Sequence, residues 1–258
     1  MSDKTDPKEK FSDLAEAYAA HRPSYPNTAV DFIIDRCHLT DSSILIDVGC
    51  GTGISTRLFC QRNIPILGIE PNTQMRQKAI EQSKPASGSS TISYRSGTAE
   101  QTGLEDSSVD AVLSAQAFHW FDEKKALSEF HRILKLGGHC ILVWNERNES
   151  DAFTREYGII LRDHSEAASA EVKRGVSGKA LLLSDLFETV AVSEFANSQT
   201  LDQGGLLGRA FSTSYAPRDN KRIMALTEKL KKLHQSNATS GNVTMKYTTT
   251  AYIAKTVD

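Results

Sequence analysis

The stretch ILIDVGCGTGIS, residues 44–55, decides the fold of this chain. Its first five residues are apolar except for Asp47, which is typical of a strand buried on both faces of a sheet. Glycines follow at positions 49, 51 and 53, where a Cβ would block both a sharp backbone reversal and the close approach of a ligand. We therefore expect a buried strand, a ligand-binding turn and a helix that begins near Ser55.

The rest of the chain repeats this alternation of short apolar runs with stretches of helical periodicity. The expected strands span residues 44–48, 64–69, 91–95, 109–114, 140–144, 190–201 and 243–257, and the expected helices span 55–62, 73–82, 123–134, 152–170 and 220–235. The helix over 123–134 is expected to end at the glycines 137 and 138. The pattern predicts an α/β fold, Rossmann-like and doubly wound, with a mainly parallel seven-stranded sheet, helices on both faces and a helical lid. Ligands of such sheets bind beyond the carboxyl ends of the strands.

Composition narrows the classes of function. The chain has 258 residues, of which 39% are hydrophobic, and a net charge of −2. Neither nucleic acid nor an anionic membrane is therefore favoured as a partner. The four cysteines form no C-x-x-C pair, so we expect no metal site and no disulfide framework. With no export signal and no run of about 20 apolar residues, the sequence predicts a cytoplasmic protein without membrane insertion.

The spacing of the loop glycines distinguishes two kinds of nucleotide-binding fold. A dinucleotide-binding loop has the spacing G-x-G-x-x-G, which would place a glycine at position 54, where this chain has Ile54. The spacing G-x-G-x-G after Asp47 instead resembles the loop of class I S-adenosylmethionine-dependent methyltransferases. A nicotinamide-dependent oxidoreductase and a catalytically silent cofactor-binding protein stay open as alternative hypotheses.

Further motifs extend this resemblance in the same order along the chain. Glu70 ends the second strand, where a carboxylate can accept two hydrogen bonds from ribose hydroxyls. Residues 97–100, GTAE, resemble the family's G-D-A-E stretch, with Thr98 in place of the acid that often reaches the adenine. Residues 114–122, SAQAFHWFD, and a signature within residues 11–26 are similar to the methyltransferase type 11 branch, which includes ubiquinone-pathway-like and trans-aconitate methyltransferase-like enzymes.

The resemblance implies a set of residues that bind S-adenosylmethionine and, after the reaction, S-adenosylhomocysteine. These expected cofactor-binding residues are Asp47, Gly49, Cys50, Gly51, Thr52, Gly53, Glu70, Pro71, Met75, Thr98, Ala99, Glu100, Gln116 and Arg22. Three of them permit another interpretation. Thr98 could instead cap a helix in an ordinary loop. Glu70 could instead cap the helix that follows it, and Arg22 could instead order the chain before the first helix.

The acceptor side of the site is expected to include Tyr18, Tyr25, His119 and Trp120. His119 is also a candidate catalytic base, because a free imidazole titrates near neutrality; a hydrogen-bonded residue of the pocket wall is the alternative. Methyl transfer from a sulfonium depends mainly on alignment and on exclusion of water, so we expect neither a metal nor a covalent nucleophile.

Motifs that are missing after the fourth strand narrow the substrate class. The sequence does not resemble the D/N-P-P-Y/F segment of DNA-amino methyltransferases, the magnesium ligands of catechol enzymes or the paired glutamates of protein-arginine enzymes. A small soluble metabolite, such as a carboxylate or a phenol, is therefore the expected substrate. We expect an N-terminal helical lid segment over 1–40, a cofactor-binding core over 41–150, and lid helices with closing strands of the same domain over 151–258, in a monomer or a homodimer.

Overall fold

The apolar runs form one mainly parallel sheet. The structure, a computed structural model, describes residues 19–83, 91–165 and 178–257. Its strands are β1 Leu45–Val48, β2 Ile66–Ile69, β3 Ile92–Arg95, β4 Val109–Ala115, β5 Leu134–Arg147, β6 Phe187–Leu201 and β7 Val243–Thr256. They lie in the order β3-β2-β1-β4-β5-β7-β6. The pairings from β3 to β5 are parallel, and β7 is antiparallel to both of its neighbours. The predicted doubly wound, seven-stranded sheet is confirmed.

Helices cover both faces of the sheet. The main helices are α1 Asn27–Arg36, α2 Ile54–Cys60, α3 Thr73–Gln82, α4 Glu123–Ile133, α5 Ala152–His164, α6 Gln203–Phe211 and α7 Asn220–Asn237. Phe130 of α4 packs with Leu142 of β5 on one face. Ile33 of α1 and Phe59 of α2 pack with Ile141 of β5 on the other. In the described ranges no helix has the length and apolarity that a bilayer-spanning segment requires.

The structure differs from the sequence prediction directly after α4. The first residue of β5, Leu134, already has extended backbone angles (φ −70°, ψ 138°). Leu134 pairs with Val109, whereas the next paired residue of β4, Ala111, faces His139. Gly137, with φ of 74°, lies in the extra segment between these pairs. The glycine therefore belongs to an irregularity inside the strand and does not end the helix, because tertiary pairing overrides the local signal.

A separate hydrophobic cluster lies where β5, β6 and β7 extend beyond the shorter strands. At this end of the sheet Arg147 pairs with Tyr247 and Leu201 pairs with Val243. Helices α5, α6 and α7 pack on it through Phe153, Tyr157, Leu161, Leu206, Ala210, Leu226, Leu230 and Leu233. These helices consequently lie at the edge where the parallel strands end, which is the expected ligand side of the fold.

Residues 19–26 cross this same edge and are fixed there by side-chain amides. Asn145 Nδ2 and Asn197 Nδ2 both donate to the carbonyl oxygen of Ser24, at 3.2 and 2.8 Å. Gln199 Nε2 donates to the carbonyl oxygen of His21 at 3.0 Å. Strands β5 and β6 thus hold the segment that leads into α1 beside the carboxyl ends of β1 and β4.

Candidate functional site

The glycine loop between β1 and α2 has left-handed backbone angles at all three glycines, with φ of 71°, 56° and 75° at Gly49, Gly51 and Gly53. A Cβ on Gly49 would lie 2.6 Å from the Cβ of Ala117, and one on Gly53 would lie 2.5 Å from the hydroxyl oxygen of Tyr94. At Gly51 a Cβ would meet no described heavy atom within 4 Å. The outer two glycines therefore allow close packing, while the middle one borders open space.

Glu70 follows β2 and faces this loop. Its side chain accepts hydrogen bonds from two backbone N–H groups, Oε2 from Gly51 at 3.0 Å and Oε1 from Asn72 at 2.8 Å. Burial raises the pKa of Glu70, and these two bonds counteract that rise. Because a carboxylate oxygen has two acceptor positions, each oxygen can still accept a hydrogen bond from a ligand.

The opposite wall is the loop after β3, and α4 fixes it. Thr102 donates to Oε1 of Glu129 through its backbone nitrogen at 2.8 Å and its hydroxyl at 2.6 Å. Arg132 holds the same carboxylate through two further hydrogen bonds of 2.8 Å. At the other end of the loop, Oε1 of Glu100 accepts from the backbone nitrogen of Asp122 at 3.0 Å. This wall is therefore held in place before any ligand binds.

Gln116, just beyond β4, has an unusual backbone conformation. Its φ of 57° lies in the left-handed region, which is unfavourable for a residue with a Cβ and often marks a functional position. The backbone nitrogen donates to the carbonyl oxygen of Val143 at 2.8 Å, and Nε2 donates to that of Asn145 at 2.8 Å. These bonds to β5 hold the turn that closes the bottom of the site.

The loops together enclose a cavity of about 280 Å³ at the carboxyl ends of β1, β2 and β4. Its lining comprises Tyr25, Gly49, Cys50, Gly51, Thr52, Ile54, Ser55, Glu70, Pro71, Asn72, Met75, Thr98, Ala99, Glu100, Ala115, Gln116, Ala117, Trp120 and Phe121. Most residues predicted for the cofactor, together with Tyr25 and Trp120, are thus brought to one place. The sequence prediction missed Ile54, Ser55, Asn72, Ala115 and Ala117, although all of them are within or next to predicted motifs. Phe121, which the sequence suggests together with Trp120 as a shield of the methyl donor, is also in the lining.

The lining does not include four of the predicted residues, Asp47, Gly53, Arg22 and His119. Arg22 Nη2 donates to the carbonyl oxygen of Ser212 at 3.0 Å and so joins the N-terminal segment to the end of α6. His119 lies in a 3₁₀ turn, with its ring 5.1 Å from that of Trp120. Tyr18 and the first half of the N-terminal signature, residues 11–18, lie outside the described residues.

Asp47 lies below the glycine loop and not in the cavity. Its fully buried Oδ2 accepts from the hydroxyls of Ser55 and Thr56, each at 2.7 Å. Burial raises the pKa of this carboxyl to about 6, although the two hydroxyls oppose the rise. Asp47 therefore orients the first turn of α2 and would act on a ligand only through the loop, in contrast to the direct contact that we expected.

Comparison with known proteins identifies the family. The methyltransferase domain family matches residues 46–142. An uncharacterized methyltransferase of Mycobacterium tuberculosis is 30% identical over 243 residues, which covers 93% of this chain and 92% of the relative. The chain belongs to the class I S-adenosylmethionine-dependent methyltransferases.

One further methyltransferase relative agrees with this assignment, and one solved structure shares the fold. An uncharacterized methyltransferase-like protein of Schizosaccharomyces pombe is 33% identical over 173 residues, 67% of this chain and 65% of the relative. The solved structure of a putative type II methyltransferase from Anaeromyxobacter dehalogenans has the same fold, with a TM-score of 0.61 and 18% identity over 91% of this chain and 97% of that one. S-adenosylmethionine is thus the cofactor of the family to which this methyltransferase belongs.

Proposed function

We propose that the 280 Å³ cavity holds S-adenosylmethionine and that the protein transfers its methyl group to a small metabolite. The observation that carries this proposal is the carboxylate of Glu70. It lies in the cavity wall, only 8% exposed, and both of its oxygens are oriented by backbone N–H groups of the surrounding loops. A carboxylate held in this way is suited to accept hydrogen bonds from the two hydroxyls of a ribose.

Two further features of the cavity fit this cofactor. The Oγ1 atom of Thr52 is buried in the lining and has no hydrogen-bond partner among the described residues, so a bound ligand would satisfy it. The open space beside Gly51 is a place that any larger side chain would fill. In this proposal Glu70 binds the ribose, while Thr98 and Ala99 contact the adenine.

The chemistry requires mainly orientation. When bound, S-adenosylmethionine would supply a sulfonium methyl group. A lone pair of the acceptor atom would form the new bond to that carbon while the carbon–sulfur bond breaks, its electron pair would stay on the sulfur of S-adenosylhomocysteine, and any proton of the acceptor atom would pass to solvent. Orientation of such reactants contributes about 7–11 kcal/mol to lowering the barrier. Gln116, fixed to β5 by two hydrogen bonds, and the rings of Tyr25 and Trp120 would position the acceptor and exclude water.

We assign His119 a positioning role in this reaction. It does not line the cavity, and its ring packs at a tilt of 41° against Trp120, which does. A general base must reach the proton that it removes, directly or through one water. His119 is therefore better placed to orient Trp120 than to deprotonate an acceptor.

The nicotinamide alternative is not favoured. Ile54 stands in the cavity wall at the first position of α2, where a dinucleotide-binding loop has a glycine so that helix and strand can pack closely. A catalytically silent cofactor-binding protein would have the same cavity. Only a measurement of turnover distinguishes it from an active methyltransferase.

The test is transfer of radiolabelled methyl from S-adenosylmethionine to a panel of small acids, phenols and amines. We expect at least one acceptor to be methylated at a rate that saturates with its concentration. The Glu70→Ala variant should raise the KM for S-adenosylmethionine on the same acceptor. Binding of S-adenosylmethionine without turnover on any acceptor would support the silent alternative, and binding of NADH in its place would overturn the proposal.

A further inference from the structure

A second cavity of about 240 Å³ lies between the end of β5 and the helices α5 and α6. Its wall is rich in charged side chains and consists of Asn145, Glu146, Arg147, Glu149, Arg162, Arg209 and Tyr247. None of these residues belongs to the lining of the first cavity. Three arginines face two glutamates, so the wall carries an excess of positive charge.

Arg209 is the unusual member of this group. It lies on α6 and is only 5% exposed. Its Nε donates to the hydroxyl of Tyr247 at 3.3 Å, while its Nη1 is buried with no hydrogen-bond partner among the described residues. Within residues 19–83, 91–165 and 178–257 no carboxylate forms an ion pair with it. A guanidinium stays charged at all relevant pH values, and burial of an uncompensated charge is strongly unfavourable.

The two acids of the cavity form no described ion pair with Arg209: Glu146 is exposed, and Glu149 is engaged with other arginines. The oxygens of Glu149 accept from Arg162 at 2.8 and 3.0 Å. Its Oε1 also lies 3.8 Å from Nε of Arg147. A second donor close to this group is also unsatisfied: the hydroxyl of Tyr157 is fully buried and has no hydrogen-bond partner among the described residues. The ring of Tyr157 lies beneath Arg147, 6.0 Å from its guanidinium carbon.

We propose that this second cavity binds a carboxylate group of the acceptor, with Arg209 as its main ligand and the buried hydroxyl of Tyr157 as a neighbouring donor. The hydroxyl of Tyr247 accepts from Nε of Arg209 and donates to Gln199 at 3.2 Å, so it supports the guanidinium and does not bind the ligand. A carboxylate presents two coplanar oxygens that match the fork of a guanidinium. A phosphate dianion fits less well, because Glu146 and Glu149 stand in the same wall. This inference rests on the proposed methyl transfer, since it identifies the substrate class of that reaction.

The position of the cavity supports a recognition role for this carboxylate. Gln116 lines the first cavity and Asn145 lines the second, and Nε2 of Gln116 donates to the carbonyl oxygen of Asn145 at 2.8 Å. The two cavities are therefore neighbours across a single hydrogen bond. An acceptor anchored at Arg209 would extend past this bond to bring a different atom to the methyl group, so the bound carboxylate is a handle and not the nucleophile.

The test uses the full-length protein loaded with S-adenosylhomocysteine. Calorimetric titration is carried out with a panel of acids from acetate to tricarballylate, with the corresponding neutral amides and with inorganic phosphate. We expect at least one acid to bind with saturation, its amide to bind at least about 30-fold more weakly, and phosphate to bind more weakly than that acid. Preference for phosphate over every acid, or equal binding of acids and amides, would overturn the proposal.

Three variants separate recognition from folding. Arg209→Gln should weaken binding of the acid about 30-fold or more, whereas Arg209→Lys, which keeps the charge, should recover part of the affinity. Arg222→Gln is the matched control, because this arginine is 66% exposed on α7 and pairs with Asp219; it should leave the affinity unchanged.

S-adenosylhomocysteine affinity is measured in parallel for every variant. If Arg209→Gln binds the acid as tightly as the unmodified protein does, the proposed carboxylate site is contradicted, whereas the proposed S-adenosylmethionine site is not affected. If the unmodified protein does not bind S-adenosylhomocysteine, the proposed function itself is contradicted. If Arg209→Gln does not fold, Arg209→Lys and Tyr157→Phe provide the test. The proposal requires both variants to bind the acid more weakly than the unmodified protein does, and both to keep their affinity for S-adenosylhomocysteine.

Discussion

Asp47 shows how a single residue of the loop motif can support the cavity without lining it. Its Oδ2 accepts hydrogen bonds from the hydroxyls of Ser55 and Thr56, which lie in the first turn of α2. Its other oxygen, Oδ1, is buried and has no hydrogen-bond partner among the described residues. The sequence predicted Asp47 among the cofactor-binding residues, and the structure places it beside α2, outside the cavity lining. The sequence could not tell direct contact from support, because that depends on which way a strand residue points after the sheet has formed.

The buried carboxyl of Asp47 makes stability depend on pH in a defined window. Its pKa rises from the ordinary 3.8 to about 6 on folding. Between these values the unfolded chain has released the proton and the folded protein still holds it, so stability falls as pH rises. The difference corresponds to about 3 kcal/mol. Asp47→Asn cannot ionise and should not show this loss.

The measurement is chemical denaturation of both proteins at pH 4, 5, 6 and 7. The unfolding free energy of the unmodified protein relative to Asp47→Asn should decrease by about 2 kcal/mol between pH 4 and pH 7, because part of the total loss already occurs below pH 4. Parallel pH curves for the two proteins would show that the carboxyl is not buried as described.

At the scale of elements, the glycine loop illustrates what local sequence can specify. A buried strand, three glycines and a helix are neighbours in the chain, so residues 44–55 predict their own structure almost completely. The irregularity in β5 is the opposite case. Gly137 looks like a helix end in isolation, but the pairing of β5 with β4 and β7 determines its conformation.

Gly51 provides a prediction at this scale. In Gly51→Val the side chain would project into the open space of the first cavity, and we expect S-adenosylhomocysteine to bind at least about tenfold more weakly, the equivalent of about 1.4 kcal/mol. The left-handed backbone should also reduce stability by about 1–2 kcal/mol.

Gly137→Val is the matched control for that variant. Gly137 has a similar φ of 74° and a similarly open environment, but it lies in β5 outside the cavity lining. The Gly137→Val variant should lose about as much stability as Gly51→Val and keep its affinity for S-adenosylhomocysteine. Equal affinity loss in both variants would mean that strain, and not occupation of the cavity, weakens binding.

At the scale of the whole molecule, the site depends on contacts between distant parts of the chain. Asn197 of β6 donates both to the carbonyl oxygen of Ser24 and to Oδ1 of Asn145, at 2.8 and 3.1 Å. Sequence analysis predicted an N-terminal segment near the site from Tyr25 and its neighbours. It could not identify Asn197 or Arg209 as important, because neither belongs to a local pattern and only the folded chain gives them their partners.

Removal of the Asn197 amide tests this long-range support. Asn197→Ala should loosen the segment that places Tyr25 in the cavity wall, so we expect S-adenosylhomocysteine to bind about 3–10-fold more weakly and the unfolding free energy to fall by about 1 kcal/mol. Asn237→Ala is the control, since its amide makes only a local bond, to the carbonyl oxygen of Leu233 at 2.9 Å. Unchanged affinity in Asn197→Ala would indicate that the segment does not shape the donor site.

The most direct test of the central claim is calorimetric titration of the unmodified protein and of Glu70→Ala with S-adenosylhomocysteine. We predict one binding site per chain, and a loss on the order of 2 kcal/mol, about 30-fold in Kd, when the carboxylate of Glu70 is removed. Glu188→Ala, which removes a 62% exposed glutamate of β6 that pairs with Lys255, should bind like the unmodified protein. Equal affinity of Glu70→Ala and the unmodified protein would contradict the account, because the cofactor would then not lie against Glu70.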